Sequence, residues 1–409
     1  MAEIKATRED IQRIERIKDR LDILNSTFTP TQPVKTREIF AGRHNQLFEC
    51  LSIAGTIGLH GILYGDRGVG KTSIANMVEL IGCIEKPDCL VLKIECTSGD
   101  TFEEIIRRVY KKISIKRPAK KIGFTQNDTE DENISLEDII PEKASFNPKD
   151  ISYILKQTTD CLLVILDEFD RLNDSTFNLS SLTELMKINS DTGVDVHFLI
   201  VGVGQSVVDI IGNHASIVRN LNQIKLQFMN NSEIEEIIVN GIKKLNLSMN
   251  KSIIDNIINF SCGYPHYTHL LCHHACQNTI RADRNKVESP DLDYAIGRAI
   301  SRAQESVRDS YQKATMANRT NIYKEVLLAC GEAKLDEYNT FVPKDIEKPL
   351  SAILKRTMKV NQFGSHLLNL CKPNRGEILV SIGERGRARY RFRDPLMRAF
   401  VRINGGSKR

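Results

Sequence analysis

Residues 60–80 read HGILYGDRGVGKTSIANMVEL. A short apolar strand ends at Gly65, a glycine-rich turn runs from Asp66 through Arg67, Gly68, Val69 and Gly70, and a helix opens on Lys71-Thr72-Ser73. The glycines let the backbone curl until its amides face inward, and the positive end of the following helix dipole points into the same space. Such a turn is a cradle for phosphate. Lys71 is suited to neutralising outer phosphates, and the hydroxyl of Thr72 to holding a magnesium ion. The pattern carries weight only in context: a strand before it, a helix after it and a metal-binding acid on another strand.

The acid is found further along, in Cys161-Leu162-Leu163-Val164-Ile165-Leu166-Asp167-Glu168. An apolar run without alternation suits a strand covered on both faces, in the middle of a parallel sheet. Ligand crevices in open parallel sheets lie beyond the carboxyl ends of the strands, so Asp167 is expected beside the glycine turn. There it would hold magnesium, and Glu168 would accept a proton from an attacking water. A third buried run, residues 197–202, leads to Gln205 and Ser206, placed either to orient water or simply to form a loop. Arg219 precedes a final short strand near residues 224–228, and either pairs with a surface acid or reaches a neighbouring subunit.

The rest of the chain sets bounds on this core. At 409 residues it holds two to three domains. Ten cysteines, no secretory pattern and no membrane-length apolar run are expected of a cytoplasmic protein in a reducing compartment, with no membrane partner. The net charge of +5 is unevenly spread: from residue 351 onward there are fourteen Lys and Arg against three acids.

Residues 1–36 read as an amphipathic helix and a Pro-containing linker, the helix either packing against its own ATPase domain or docking a protein partner. Residues 37–230 form the α/β core, with 114–148 as a polar, charged surface insertion expected to be mobile. Residues 231–314 turn helical, opening on a capping box of Ser232 and Glu235. The third of these helices starts at Gly263-Tyr264-Pro265-His266. Along it His269, Cys272, His273 and Cys276 share one face. Four ligands on one straight helix cannot converge tetrahedrally on an ion, so core packing is expected.

Residues 315–409 read as three helices and a hairpin, the plan of a winged helix-turn-helix. Arg385, Arg387, Arg389, Arg391 and Arg393 occupy alternate positions, which puts them on one face of the second strand. Stacked like charges call for a polyanion or acidic partner, or else form a solvated edge strand guarded against aggregation.

With these residues assembled, the chain resembles the AAA+ and STAND P-loop ATPases, nearest to origin-recognition-type initiators. The resemblance runs from about residue 39 to the C-terminus. It implies ATP and Mg2+ as ligands, with Arg43 of Gly42-Arg43 near the adenine. It further implies Gly65, Asp66, Arg67, Gly68, Val69, Gly70, Lys71, Thr72 and Ser73 around the phosphates. Asp167 and Glu168 become the metal acid and base, Gln205 the sensor residue, and Arg219 an arginine acting across a homo-oligomer. The initiators usually carry a sensor arginine where this chain has Gly263-Tyr264-Pro265-His266, closer to the Gly-x-Pro of STAND proteins. His266 therefore becomes the candidate phosphate contact. DNA would be held by the arginine strand together with Lys355, Arg356 and Lys359. The implied activity is ATP hydrolysis controlling assembly and DNA engagement. The other class left open is a slowly hydrolysing signalling or defence scaffold that recruits a protein partner.

Overall fold

The structure is a computed structural model that describes residues 7–120, 129–141, 146–173, 175–204, 206–211, 215–302, 304–316, 322–336, 340–383 and 388–406. The chain forms two compact units, the first Pro33–Gln227 and the second Met1–Gln32 with Phe228–Arg409. It opens with α1 (Arg8–Thr27), which belongs to the second of these.

In the unit Pro33–Gln227 the strands are β1 (His60–Gly65), β2 (Cys89–Glu95), β3 (Ser114–Lys120), β4 (Thr129–Ser135), β5 (Cys161–Asp167), β6 (Val196–Val203) and β7 (Leu221–Leu226). The helices are α2 (His44–Ser52), α3 (Lys71–Glu85), α4 (Phe102–Lys112), α5 (Pro148–Thr158) and α6 (Leu179–Thr192), with single turns α7 (Val208–Ile211) and α8 (Ala215–Val218). Five strands make one parallel sheet in the order β2-β5-β6-β1-β7. Every residue of β5 is buried, as an unbroken apolar run requires of a strand covered on both faces. The strand order sets β6 between β1 and β5, so the chain segments leaving these three strands emerge side by side.

The polar stretch expected as an insertion holds more regular structure than its composition suggests. Within its described part β3 and β4 pair antiparallel, from Ser114↔Ser135 to Lys120↔Thr129. Ser135 and Asp138 then form a capping box, and Leu136 is buried in the core of the unit.

The second unit is mostly helical. After α1 come α9 (Asn231–Lys244), α10 (Lys251–Ser261), α11 (Pro265–Arg281), α12 (Ser289–Arg302) and α13 (Gln304–Thr315). The two-residue strands β8 (Ser248–Met249) and β9 (Lys286–Val287) tie their loops. Then follow α14 (Tyr323–Glu332), α15 (Pro343–Leu354), α16 (Val360–Leu370), the antiparallel pair β10 (Leu379–Ile382) and β11 (Arg389–Phe392), and α17 (Pro395–Gly406). The helix α1 packs along α11, with Phe28 fully buried beside Gly241 and edge-on to His269 at 5.9 Å. Its basic face reaches Asp283, from Arg16 at 2.5 Å and Arg13 at 3.3 Å. The helix α1 thus packs on helices of its own unit, whereas the sequence reading set packing against the ATPase domain beside partner docking.

The cap of α9 differs from expectation. The box is built by Asn230 and Glu233, each side chain bonded to the other's amide, at 3.0 Å and 2.9 Å. Ser232 instead donates its hydroxyl to Asn230 Oδ1 at 2.6 Å. Asparagine in extended conformation ahead of the helix is as good a cap as serine, and it starts the helix earlier.

Candidate nucleotide site

At the carboxyl end of the sheet, β1 stops on Gly65, whose φ is +153°. A Cβ there would lie 2.2 Å from the carbonyl oxygen of Leu226, so the neighbouring strand β7 permits only glycine. Gly68 and Gly70 have φ of 82° and 102°, in the left-handed region that other residues avoid, and Gly70 caps α3. Val69 is fully buried and anchors the turn, while Arg67 and Gly68 stand exposed at its tip.

Lys71 is buried and folds back over the turn, donating to the carbonyls of Gly65 at 3.0 Å and Asp66 at 2.7 Å. Burial lowers its pKa to about 8, against the pull of Asp170, Asp66 and Asp167 in the other direction. One residue on, the Thr72 hydroxyl lies 3.4 Å from Asp167 Oδ1. Asp167 is itself buried at the end of β5, and its Oδ1 also accepts the amide of Glu168 at 3.0 Å. A hydroxyl and a carboxylate facing each other are hard oxygen donors, which suits magnesium, and Lys71 beside them suits a phosphate. These residues fit the ligands the motif implies. The Thr72 side opens on a cleft of 970 Å³ lined by Asn76, Lys93, Arg108, Lys111 and Lys112 among others.

Glu168 adopts φ of 58°, a left-handed conformation that is uncommon for a non-glycine residue, and its carboxylate pairs with Arg171 at 2.8 Å. Arg43, also left-handed, is buried and donates to the carbonyl of Gln227. Ser73 accepts the amide of Val34 at 3.1 Å, and Asn76 donates to the carbonyl of Val34 at 3.0 Å. Ser73 thus ties the linker to α3, a structural duty that its place after Thr72 did not suggest. Gln205 lies outside the described residues; its neighbour Gly204 donates its amide to Gly65 at 3.3 Å. Arg219 is exposed and donates to the adjacent Asn220 side chain at 3.3 Å.

Two residues of this site were missed. Lys93, a charge inside the apolar run of β2, pairs with Asp167 Oδ2 at 2.9 Å and with Asn76 at 2.6 Å. Asp170 accepts the amide of Val203 at 2.8 Å, tying the turn after β5 to the end of β6. A lysine interrupting an apolar strand was the available signal for the first.

In the helical unit, His266 is exposed at the start of α11, its ring 5.0 Å from that of Tyr267. His269 is buried and accepts the amide of Thr29 at 3.1 Å, Cys272 and Cys276 are buried, and His273 meets Asn25 at 3.0 Å. This face is the seat of α1, in keeping with core packing. Burial lowers the pKa of His269 to about 4, with nearby His266 adding to the effect.

The basic residues of the C-terminal region fare unequally. Lys355 and Arg356 are exposed, and Lys359 is exposed 3.4 Å from Glu347. Arg389 pairs with Asp336 and donates to Thr340 at 2.7 Å; Arg393 pairs with Glu377 at 3.1 Å. Arg391 corrects the expectation of one arginine face. It is buried, stacked 4.0 Å over the ring of Phe228 and 3.3 Å from the Tyr264 hydroxyl, so no polyanion reaches it. Arg385 and Arg387 lie outside the described residues.

Residues 58–210 match the AAA domain family. No curated protein matches the chain. Among solved structures it is similar to the ORC2 protein of Aeropyrum pernix, at 13% identity over 93% of this chain and 96% of that one, with a TM-score of 0.49. The Walker-type ATPase of Pyrococcus abyssi is similar at 16% identity over 91% and 99%, with a TM-score of 0.49. The ORC1 protein of A. pernix, solved in complex with DNA, is similar at 14% identity over 94% and 96%, with a TM-score of 0.47. The segment 58–210 is thus similar to the AAA domain family, and the parallel sheet with Lys71, Thr72 and Asp167 gathered at its carboxyl end has the P-loop NTPase fold.

Proposed function

We propose that this chain binds and hydrolyses ATP as an AAA+ or STAND-like switch whose nucleotide state controls its assembly and its engagement of DNA. The observation that carries the reading is the meeting of Thr72 with Asp167 at 3.4 Å beside the buried Lys71. The turn amides and Lys71 hold the phosphates, and Thr72 and Asp167 hold magnesium. Magnesium, when bound, supplies charge for the terminal phosphates during in-line displacement. Lys93 keeps the Asp167 carboxylate oriented through Oδ2, leaving Oδ1 toward Thr72. Glu168 takes the proton of the attacking water once its carboxylate is shared with or released by Arg171. Arg43, Gln205, Arg219 and His266 keep the adenine, sensor, finger and phosphate roles that the resemblance implies.

The DNA-engaging part of this reading rests on the C-terminal region, taken as a winged helix, through Lys355, Arg356, Lys359 and the hairpin arginines other than Arg391. The internal pairing of Arg389 and Arg393 favours a second reading, in which this region meets a protein partner and hydrolysis is slow. Measuring ATP turnover and oligomer size with and without duplex DNA separates them. Stimulation by DNA, with an affinity that falls steeply with salt, is the expected result. Turnover and size that ignore DNA at low salt contradict the DNA reading and leave the protein-partner one.

A further inference from the structure

The opposite, amino-terminal edge of the sheet carries a row of side chains that the nucleotide site does not use. Cys89 opens β2, Cys161 opens β5, and Asp195 stands one residue before β6. Cys89 and Cys161 are register partners, and Leu162↔Val196 puts Asp195 next in the same row. Register partners in a parallel sheet point to the same face, so the three side chains are neighbours on adjacent strands. His197, two residues beyond Asp195, shares that face. The ligand atoms of Cys161, Asp195 and His197 all lie within 4.8 Å of one another, and Cys89 is joined to Cys161 by a disulfide.

His197 is fully buried and its ring is fixed at both nitrogens. Nδ1 lies 2.7 Å from the carbonyl of Leu59, which only accepts, so Nδ1 carries a proton there. Nε2 then faces Asp195 Oδ1 at 2.6 Å, on the side of the cysteines. A backbone carbonyl that orients one imidazole nitrogen while the other faces further ligands is the usual support of a metal-binding histidine. Lys86 stands 3.8 Å from the other carboxylate oxygen and donates to the carbonyl of Ala54 at 2.6 Å, so it steadies Asp195 without occupying Oδ1. Cys89, Cys161 and His197 are closed off from solvent, and Asp195 is part-exposed, which leaves an entry path.

We propose that, with the disulfide reduced, Cys89, Cys161, Asp195 and His197 bind a tetrahedral divalent cation of the zinc type. Two thiolates, an imidazole and a carboxylate are a donor set that suits zinc rather than magnesium or calcium. Reduction by two thiols returns the pair to a dithiol and leaves the reductant as its own disulfide; the cation then displaces the two thiol protons. The row is therefore a metal site in one redox state and a strand-to-strand covalent link in the other, well away from the glycine turn at the other end of β1.

The test uses the full chain, reduced with a phosphine that ends as its oxide, freed of reductant without air and titrated with Co2+ alone. One equivalent should produce thiolate-to-cobalt charge-transfer absorbance together with the visible bands of a tetrahedral ion. Cys161→Ser, which leaves Cys89 as the one thiolate of the set, should at least halve the charge-transfer band, and Asp195→Asn, at a part-exposed position that spares the core, should weaken binding about 10–100-fold. The oxidised protein should show no band. Absence of the band in the reduced protein overturns the proposal. So does a band unchanged in Cys161→Ser and Asp195→Asn proteins whose circular dichroism matches the parent, or one of equal strength in the oxidised protein.

Discussion

Lys71 is an ammonium group held under the glycine turn by two carbonyls, in surroundings that bring its pKa down to about 8. Because the folded value lies below that of a free lysine, the protonated side chain is a cost to the empty protein below pH 8. That cost is relieved as pH rises from about 8 toward the unfolded value. A phosphate favours the charged form, so nucleotide affinity should be level below pH 8 and fall above it by up to about tenfold per unit. Titrating a fluorescent ATP analogue across pH checks this; an affinity unchanged to high pH removes Lys71 from the phosphates. Lys93 gives a second prediction. It is the ion partner of a buried carboxylate, and removing one member of such a pair typically costs about 3–5 kcal/mol. Lys93→Met should therefore lower thermal stability, and magnesium with ATP should restore more of it than in the parent. Lys71, Thr72 and Asp167 were legible in the sequence because strand, turn, helix and acid come in a fixed order. Lys93 and Asp170 were not, because their roles depend on which strands become neighbours, and that is decided by register.

At the scale of elements, the buried strands β1, β5 and β6 could be read from unbroken apolar runs, and the hairpin β10–β11 from alternation around a turn. Less visible was what each face would meet. Alternation assigned Arg391 to a charged face, yet Phe228 and Tyr264 cover it, an arrangement that needs the chain on both sides of α9 and α11. The helix α17 was hidden behind the arginine-rich turn. The seat of α1 shows how small residues decide such contacts. A Cβ on Gly241 would come 2.1 Å from the ring of Phe28. Gly241→Ala should push Phe28 out and loosen α1, so that limited proteolysis removes the N-terminal segment faster while Pro33–Gln227 resists as before. The ion pairs of Arg13 and Arg16 with Asp283 are too exposed to hold the helix alone. If cleavage rates are unchanged, the packing of Phe28 is not what seats α1.

Taken as a whole, the molecule sets a nucleotide cradle at one end of a parallel sheet and a cysteine, aspartate and histidine row at the other. The helical unit holds α1 and the basic C-terminal region. The plan of a P-loop core followed by a helical region was available from the switch in periodicity after residue 230; the unit to which α1 belongs was not, since an amphipathic helix does not say what covers it. No described helix is long and apolar enough to cross a membrane. We propose hydrolysis of ATP at the site around Thr72 and Asp167, with Glu168 as base. The most direct measurement is ATP binding and steady-state turnover of Glu168→Gln beside the unaltered protein. Binding should be kept and turnover should fall about 10²–10⁴-fold. Turnover at the normal rate in the Glu168→Gln protein would contradict it.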